Sequence, residues 1–164
     1  MKTRTLVSIL ILVLAVMVIA GSCATGKKMV TVDDATKQFA GVYVNTKYSG
    51  SNPNEPQKLV ITSDGRLENW QVVNDERTLL TAEYSVTESW LDSKGNTYCT
   101  VNAKFYMGPV LQGLWKLDKS GNTFEMNFVF SGSGEYPAEG EYPTEIDPNV
   151  VPYGPLYYWT GQRQ

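Results

Sequence analysis

The chain of 164 residues contains no histidine. Histidine general bases, Ser-His-Asp triads and histidine-ligated zinc are therefore excluded. Cysteine is almost as scarce, with two in the chain, Cys23 and Cys99, so no disulfide framework supports the fold. Positive charge is limited as well. The 14 Lys and Arg against 17 Asp and Glu give a net charge of −3, without the clustered cations that a phosphate backbone demands, and nucleic acid is set aside as a partner. Helical periodicity is confined to Asp33 to Phe39, where Asp33 or Asp34 is the expected cap. The length fits one domain and no large multidomain enzyme.

What is present begins with an address. Lys2 and Arg4 form a short basic region, and Leu6 to Ala20 is apolar except for Ser8. This is the layout of a secretory signal, short of the ~20 apolar residues a spanning helix needs. The run ends in Ala20-Gly21-Ser22-Cys23, which resembles a bacterial lipobox. The resemblance implies a diacylglyceryl group on Cys23, cleavage before it, and a lipid-anchored protein of the cell envelope. Ala24 after the cysteine points to outer-membrane delivery. An ordinary signal peptide that leaves Cys23 a free thiol, or a retained anchor, are the other readings. The chain then divides into a signal peptide at 1–22, a lipidated tether at 23–32 and a β domain at 33–164. Lys27 and Lys28 are placed near anionic headgroups.

The body alternates with period two. Cys99, Val101, Ala103, Phe105 and Met107 share one face of a strand from Tyr98 to Met107, and Phe124, Met126, Phe128 and Phe130 share another from Thr123 to Phe130. Leu80 to Val86, Lys58 to Thr62, Arg66 to Val73 and Leu114 to Leu117 complete the pattern, with a final strand at Leu156 to Thr160. Ser63-Asp64-Gly65, Ser93 to Asn96 and Asp118 to Asn122 are turns of hairpin length. Sequential strands joined by short turns make an antiparallel meander, and long strands favour closure into a barrel without exposed edges. A β-sandwich is the alternative. Residues 131–154 are Tyr-, Pro- and Gly-rich and acidic, with a repeated Gly-Glu-Tyr-Pro at 134 and 140, and are expected to be an extended loop.

A helical turn, then Phe39-Ala40-Gly41-Val42-Tyr43, a meander and an aromatic last strand ending in Arg163 resemble the calycin plan of lipocalins and fatty-acid-binding proteins. The similarity is greatest to small bacterial lipocalin-like lipoproteins. In that family a Gly-x-Trp opens the first strand and a terminal arginine packs over the ring; here Gly41 and Tyr43 take those positions, with Tyr43 replacing the tryptophan, and Arg163 the last. The resemblance implies an all-β up-and-down barrel whose interior takes a small apolar ligand. Phe105, Trp115, Phe124, Phe128 and Tyr158 are the candidate lining residues, drawn from an aromatic set that includes Trp70, Trp90, Trp159 and Tyr157. The competing reading is that the barrel is filled by its own side chains.

Cys99, on an apolar strand face with no histidine to activate it, reads as a small core residue. Glu83, Glu88 and Glu125 fall on polar faces, and Asp147-Pro148-Asn149 lacks the spaced oxygen ligands of a calcium loop. No cofactor, no metal and no enzymatic activity are expected. The alternative to a ligand carrier is an envelope interaction protein that uses Gly134 to Tyr153 as its contact surface.

Overall fold

The computed structural model describes residues 27–45, 57–73, 76–106, 110–129, 142–149 and 156–164. Cys23, Met107 and Phe130 lie outside the described residues. The described chain forms strand β1 (Lys28–Met29), helix α1 (Val32–Phe39), and strands β2 (Gly41–Val44), β3 (Lys58–Ile61), β4 (Arg66–Val73), β5 (Glu76–Leu91), β6 (Thr97–Phe105), β7 (Val110–Leu117), β8 (Thr123–Val129) and β9 (Leu156–Arg163).

Each of β2 to β9 pairs antiparallel with its sequence neighbours, and β9 returns to β2 through Tyr43 opposite Arg163. The result is a closed eight-stranded barrel with β1 as one extra strand. Closure excludes the sandwich alternative, because no sheet edge is left at which a second sheet would separate. Strand β5 is much longer than the Leu80 to Val86 segment expected, because it serves two neighbours in succession. Glu76 to Glu83 pair with β4, and Ala82 to Leu91 pair with β6. The ladder shifts at Thr87, between Val86 and Glu88, and such a bulge lets one strand bend around the wall. Where β5 runs past β4, β1 takes up its edge through Lys28 opposite Leu91 and Met29 opposite Trp90. Part of the expected tether therefore belongs to the barrel wall.

Helix α1 begins one turn-residue earlier than the sequence suggests. Its cap is Thr31 rather than Asp33 or Asp34: the Thr31 hydroxyl oxygen accepts from Asp34 N at 3.1 Å, while Asp33 and Asp34 sit in the first turn, where a negative charge favours the helix dipole. Ala35 and Phe39 form its buried face. The alternation of strand directions places α1 and the three hairpins at 62–66, 92–96 and 118–122 at one end of the barrel. Two of these turns are built alike: Asp92 and Asp118 each use Oδ1 to accept from two later backbone N–H groups, and Gly95 and Gly121 supply the positive φ of 85° and 76°. The hydrogen bonds hold both carboxyls below the ordinary carboxylate range, against the opposite pull of burial. The connections across the other end fall largely outside the described residues.

Candidate functional site

The interior divides by level. At the α1 end it is filled with rings. Phe39, Tyr43, Trp115, Phe124 and Trp159 are buried, with Phe124 edge-on to Trp115 at 5.4 Å and 4.9 Å from Tyr43, and Trp115 5.0 Å from Tyr84. Edge and tilted contacts of this kind add to simple burial because the ring edge and face carry opposite partial charge. Phe128 reaches Trp115 at 6.5 Å. These large rings fit because Gly113 and Gly161 occupy inward positions beside them. A Cβ on Gly113 would lie 2.5 Å from the Phe128 ring, and one on Gly161 2.3 Å from the Trp159 ring. Trp115, Phe124 and Phe128, three candidate lining residues, therefore pack mainly against one another and other rings. Phe105 is half-buried at the margin of this core.

The same end is fastened by Arg163. Its guanidinium lies 5.2 Å over the Tyr43 ring and donates through Nη2 to Tyr43 Oη and to the carbonyls of Gln38 and Ala40. Tyr43 Oη in turn donates to Phe39 O at 2.9 Å. Gly41 permits this approach, since a Cβ there would stand 3.0 Å from Arg163 Nε. One side chain thus ties β9, β2 and α1. Burial pushes the Tyr43 phenol up, opposed by the Arg163 bond and charge, and burial raises Tyr84, whose hydroxyl donates to Thr62 O at 2.6 Å.

Further along β2 and β4 the inward positions turn polar. Asn45 shares the face of Tyr43, and Asn69 and Gln71 share that of Leu67, which faces the core. Asn45 and Gln71 are buried, and Asn69 Oδ1 is a buried acceptor without a hydrogen-bond partner. Opposite Asn69 in register is Leu80, on the same face as core residue Ala82 yet 41% exposed. The half of the barrel away from α1 therefore carries amides on β2 and β4, faces Phe105, Leu111 and Phe128 on β6 to β8, and is reached by solvent at Leu80. Trp115 Nε1, deeper in, is a second buried polar atom without a partner. A buried donor or acceptor left unpaired costs about 1–3 kcal/mol, and at this level Asn69 Oδ1 carries that cost, as Trp115 Nε1 and Arg163 Nε do at the α1 end.

Two of the four tryptophans are outside. Trp70 lies under Lys58 Nζ at 4.6 Å from its ring centre, and Trp90 stacks on Tyr98 at 5.7 Å with Lys27 Nζ 4.1 Å above it. Tyr158 is also outward. The register that sends Trp159 into the core turns Tyr158 to the wall, where its hydroxyl donates to Glu125 Oε1 at 3.0 Å and Glu125 pairs with Lys116. This corrects its placement among the cavity-lining candidates. Burial, followed by the Glu125 contact, pushes the Tyr158 phenol up to about 12.

Residues 142–149 of the acidic loop cross the wall over β6 to β8. Asn127 holds them, accepting from Asp147 N at 2.8 Å and donating to Asp147 O at 3.3 Å, and Tyr142 Oη donates to Asn102 Oδ1 at 3.0 Å. The outward Leu114 and Asn127 are buried. A recess of about 410 Å³ lies between Thr144 to Ile146 and the Trp90–Tyr98–Lys116 wall. A second, of about 740 Å³, runs beside Arg66, Glu83, Lys104 and Phe105. Cys99 is fully buried on the inward face, and burial pushes its thiol up, which removes the thiolate that covalent chemistry requires.

The amides are the residues that sequence reasoning missed. In Arg66 to Val73 each face carries two apolar residues, Leu67 and Val73 on one and Trp70 and Val72 on the other, so alternation alone leaves the face of Asn69 and Gln71 open. Only the neighbouring strands settle it. No family model, curated protein or solved structure matches the chain.

Proposed function

We propose that the protein is a lipid-anchored component of a bacterial cell envelope whose barrel holds one small amphipathic molecule in the half away from α1. The carrying observation is Asn69 Oδ1, buried and unpartnered on the inward face beside Asn45 and Gln71. A ligand with an apolar body and a hydrogen-bond donor satisfies that acceptor and covers Leu80. The aromatic half supplies a rigid floor, and the absence of a lowered nucleophile pKa at Cys99 suits a binding module rather than a catalyst. The Ala20-Gly21-Ser22-Cys23 resemblance supports the anchor.

Native mass spectrometry of protein extracted from membranes tests both parts. The expected spectrum shows acyl groups on a chain beginning at Cys23 and a noncovalent small molecule released on denaturation, which Asn69→Leu no longer retains. A bare barrel in both proteins rejects the ligand. That result would favour the interaction reading through Gly134 to Tyr153, beside which the wall exposes Leu79, Tyr106 and Val110 as further apolar surface.

A further inference from the structure

We propose that the protein self-associates through the rim of its barrel, the free edge of β5 in one copy pairing antiparallel with the same edge of a second copy. Neither the anchor nor the ligand enters into this contact.

The edge arises from the stagger of the strands. Closure is complete along the wall, but β6 ends at Phe105, opposite Ala82, while β4 continues beside β5 as far as Glu76. The β4–β5 pair therefore projects as an arm, and among the described residues no strand pairs with Glu76 to Thr81 on the side of β6. Six residues at about 3.4 Å each make about 20 Å of edge. Tyr84 N donates to Gly65 O on the β4 side. By the alternation of an antiparallel ladder, Thr78 and Leu80 also turn their backbone groups to β4, and Arg77, Leu79 and Thr81 turn theirs to the free side. Leu79 and Leu80 are 40% and 41% exposed there, and no proline, lysine or bulge interrupts residues 76–81.

The occupant is a second copy because the edge is its own complement. With a two-fold axis at Thr78, Arg77 of each copy faces Leu79 of the other, and each such pair exchanges both of its N–H···O=C bonds. The two Leu79 side chains become diagonal neighbours on the outer face, beside Trp70, which stands opposite Leu79 on β4. The antiparallel arrangement sends the two barrels to opposite ends of the paired arms, so neither body obstructs the other. It also carries the end of each arm to the end of the other copy's β6, where Tyr106 is 90% and Val110 43% exposed. A short peptide of foreign origin would satisfy the backbone and bring no arm to these side chains. The contact falls below about 1,200 Å², so the dimer is expected to dissociate on dilution.

Thr78→Cys in the purified full-length protein places two thiols at the axis, in the close pair of an antiparallel ladder, whose spacing suits a disulfide. Mild oxidation is expected to join two chains above the background that Cys23 and Cys99 set in the parent. Glu83→Cys, on the part of β5 that β6 covers, is expected to stay single. Light scattering of the parent is expected to show a dimer that falls apart as the protein is diluted. Leu79→Pro removes an N–H that the barrel does not use, and Leu79→Lys sets a charge on each side of the seam. Each is expected to weaken the dimer at least about tenfold with the near-ultraviolet dichroism of the rings unchanged. Single chains at every concentration overturn the proposal, as do equal cross-linking at 78 and 83 or a dimer that Leu79→Lys leaves intact. A complex of another mass that Leu79→Lys dissolves sets a foreign chain on the edge and overturns the second copy.

Discussion

The two ends of the barrel are made differently. At the α1 end, rings from α1, β2, β5, β7, β8 and β9 interlock, short hairpins close the strands, and Arg163 ties the last strand to the first. Away from it, inward positions on β2 and β4 carry amides, and Leu80 meets solvent from an inward face. Both ends share one set of strands, so the contrast belongs to side chains and connections. Close packing is greatest where the rings interlock, and the polar groups of the other half are those the proposed ligand would meet.

The largest test removes the floor. Trp115→Ala deletes the ring that touches Phe39, Tyr84, Phe124 and Phe128, and is expected to lower unfolding stability by about 3–5 kcal/mol in urea titration. A loss under 1 kcal/mol would mean that the two halves are equally loose. Alkaline pH attacks the same end. Tyr43 and Tyr84 have phenols raised above their ordinary value, as does Tyr158 on the wall, so the folded state keeps protons that the unfolded chain releases above about pH 10. Stability is therefore fully present below pH 10 and falls as pH rises, through about 12 for Tyr158. The share of tyrosinate absorbance that disappears in Tyr43→Phe, Tyr84→Phe and Tyr158→Phe should appear together with loss of the near-ultraviolet dichroism of the rings; that share appearing in a still-folded barrel would contradict the raised values.

Arg163→Ala unties the ends of the chain. Loss of its charge-assisted bonds to Tyr43, Gln38 and Ala40 is expected to cost about 2–3 kcal/mol, with faster amide exchange in α1 than in β6. Asn127→Ala addresses the outer strap instead. It leaves Asp147 N without its acceptor, and the expected cost is about 1–2 kcal/mol with new proteolysis between 142 and 149. Protection of that segment equal to the parent's would remove Asn127 as its anchor. The smallest change in stability is expected from Asn69→Leu, which exchanges a buried unpaired acceptor for a side chain of similar size and should be neutral to stabilising by up to about 1 kcal/mol. A clear destabilisation would show that Asn69 serves the fold, and the contrast between the halves would weaken.

The closed end was the more legible of the two. Period-two alternation at Cys99 to Phe105 and Phe124 to Phe128 identifies core faces because both neighbours of each apolar residue are polar or outward, and Asp-x-x-Gly-Asn at 92 and 118 marks hairpins by turn chemistry alone. The amide-bearing half was less legible, since Leu67 and Val73 on the face of Asn69 and Gln71 are matched by Trp70 and Val72 on the other, and alternation offers no contrast between them. Tyr158 was misplaced for a related reason: in a run of three aromatics, alternation offers no contrast from which to choose a face.

The sequence by itself determined the antiparallel meander, the positions of the hairpins and the exclusion of histidine chemistry. These follow from local composition and from a period that each strand carries within itself. The tertiary structure decided closure, the bend of β5 past β4 and onto β6, the capture of β1 by β5, and which aromatic rings lie inside. Each of those depends on partners distant in the chain: Tyr43 meets Arg163 across 120 residues, and no local pattern records which strand will stand beside another.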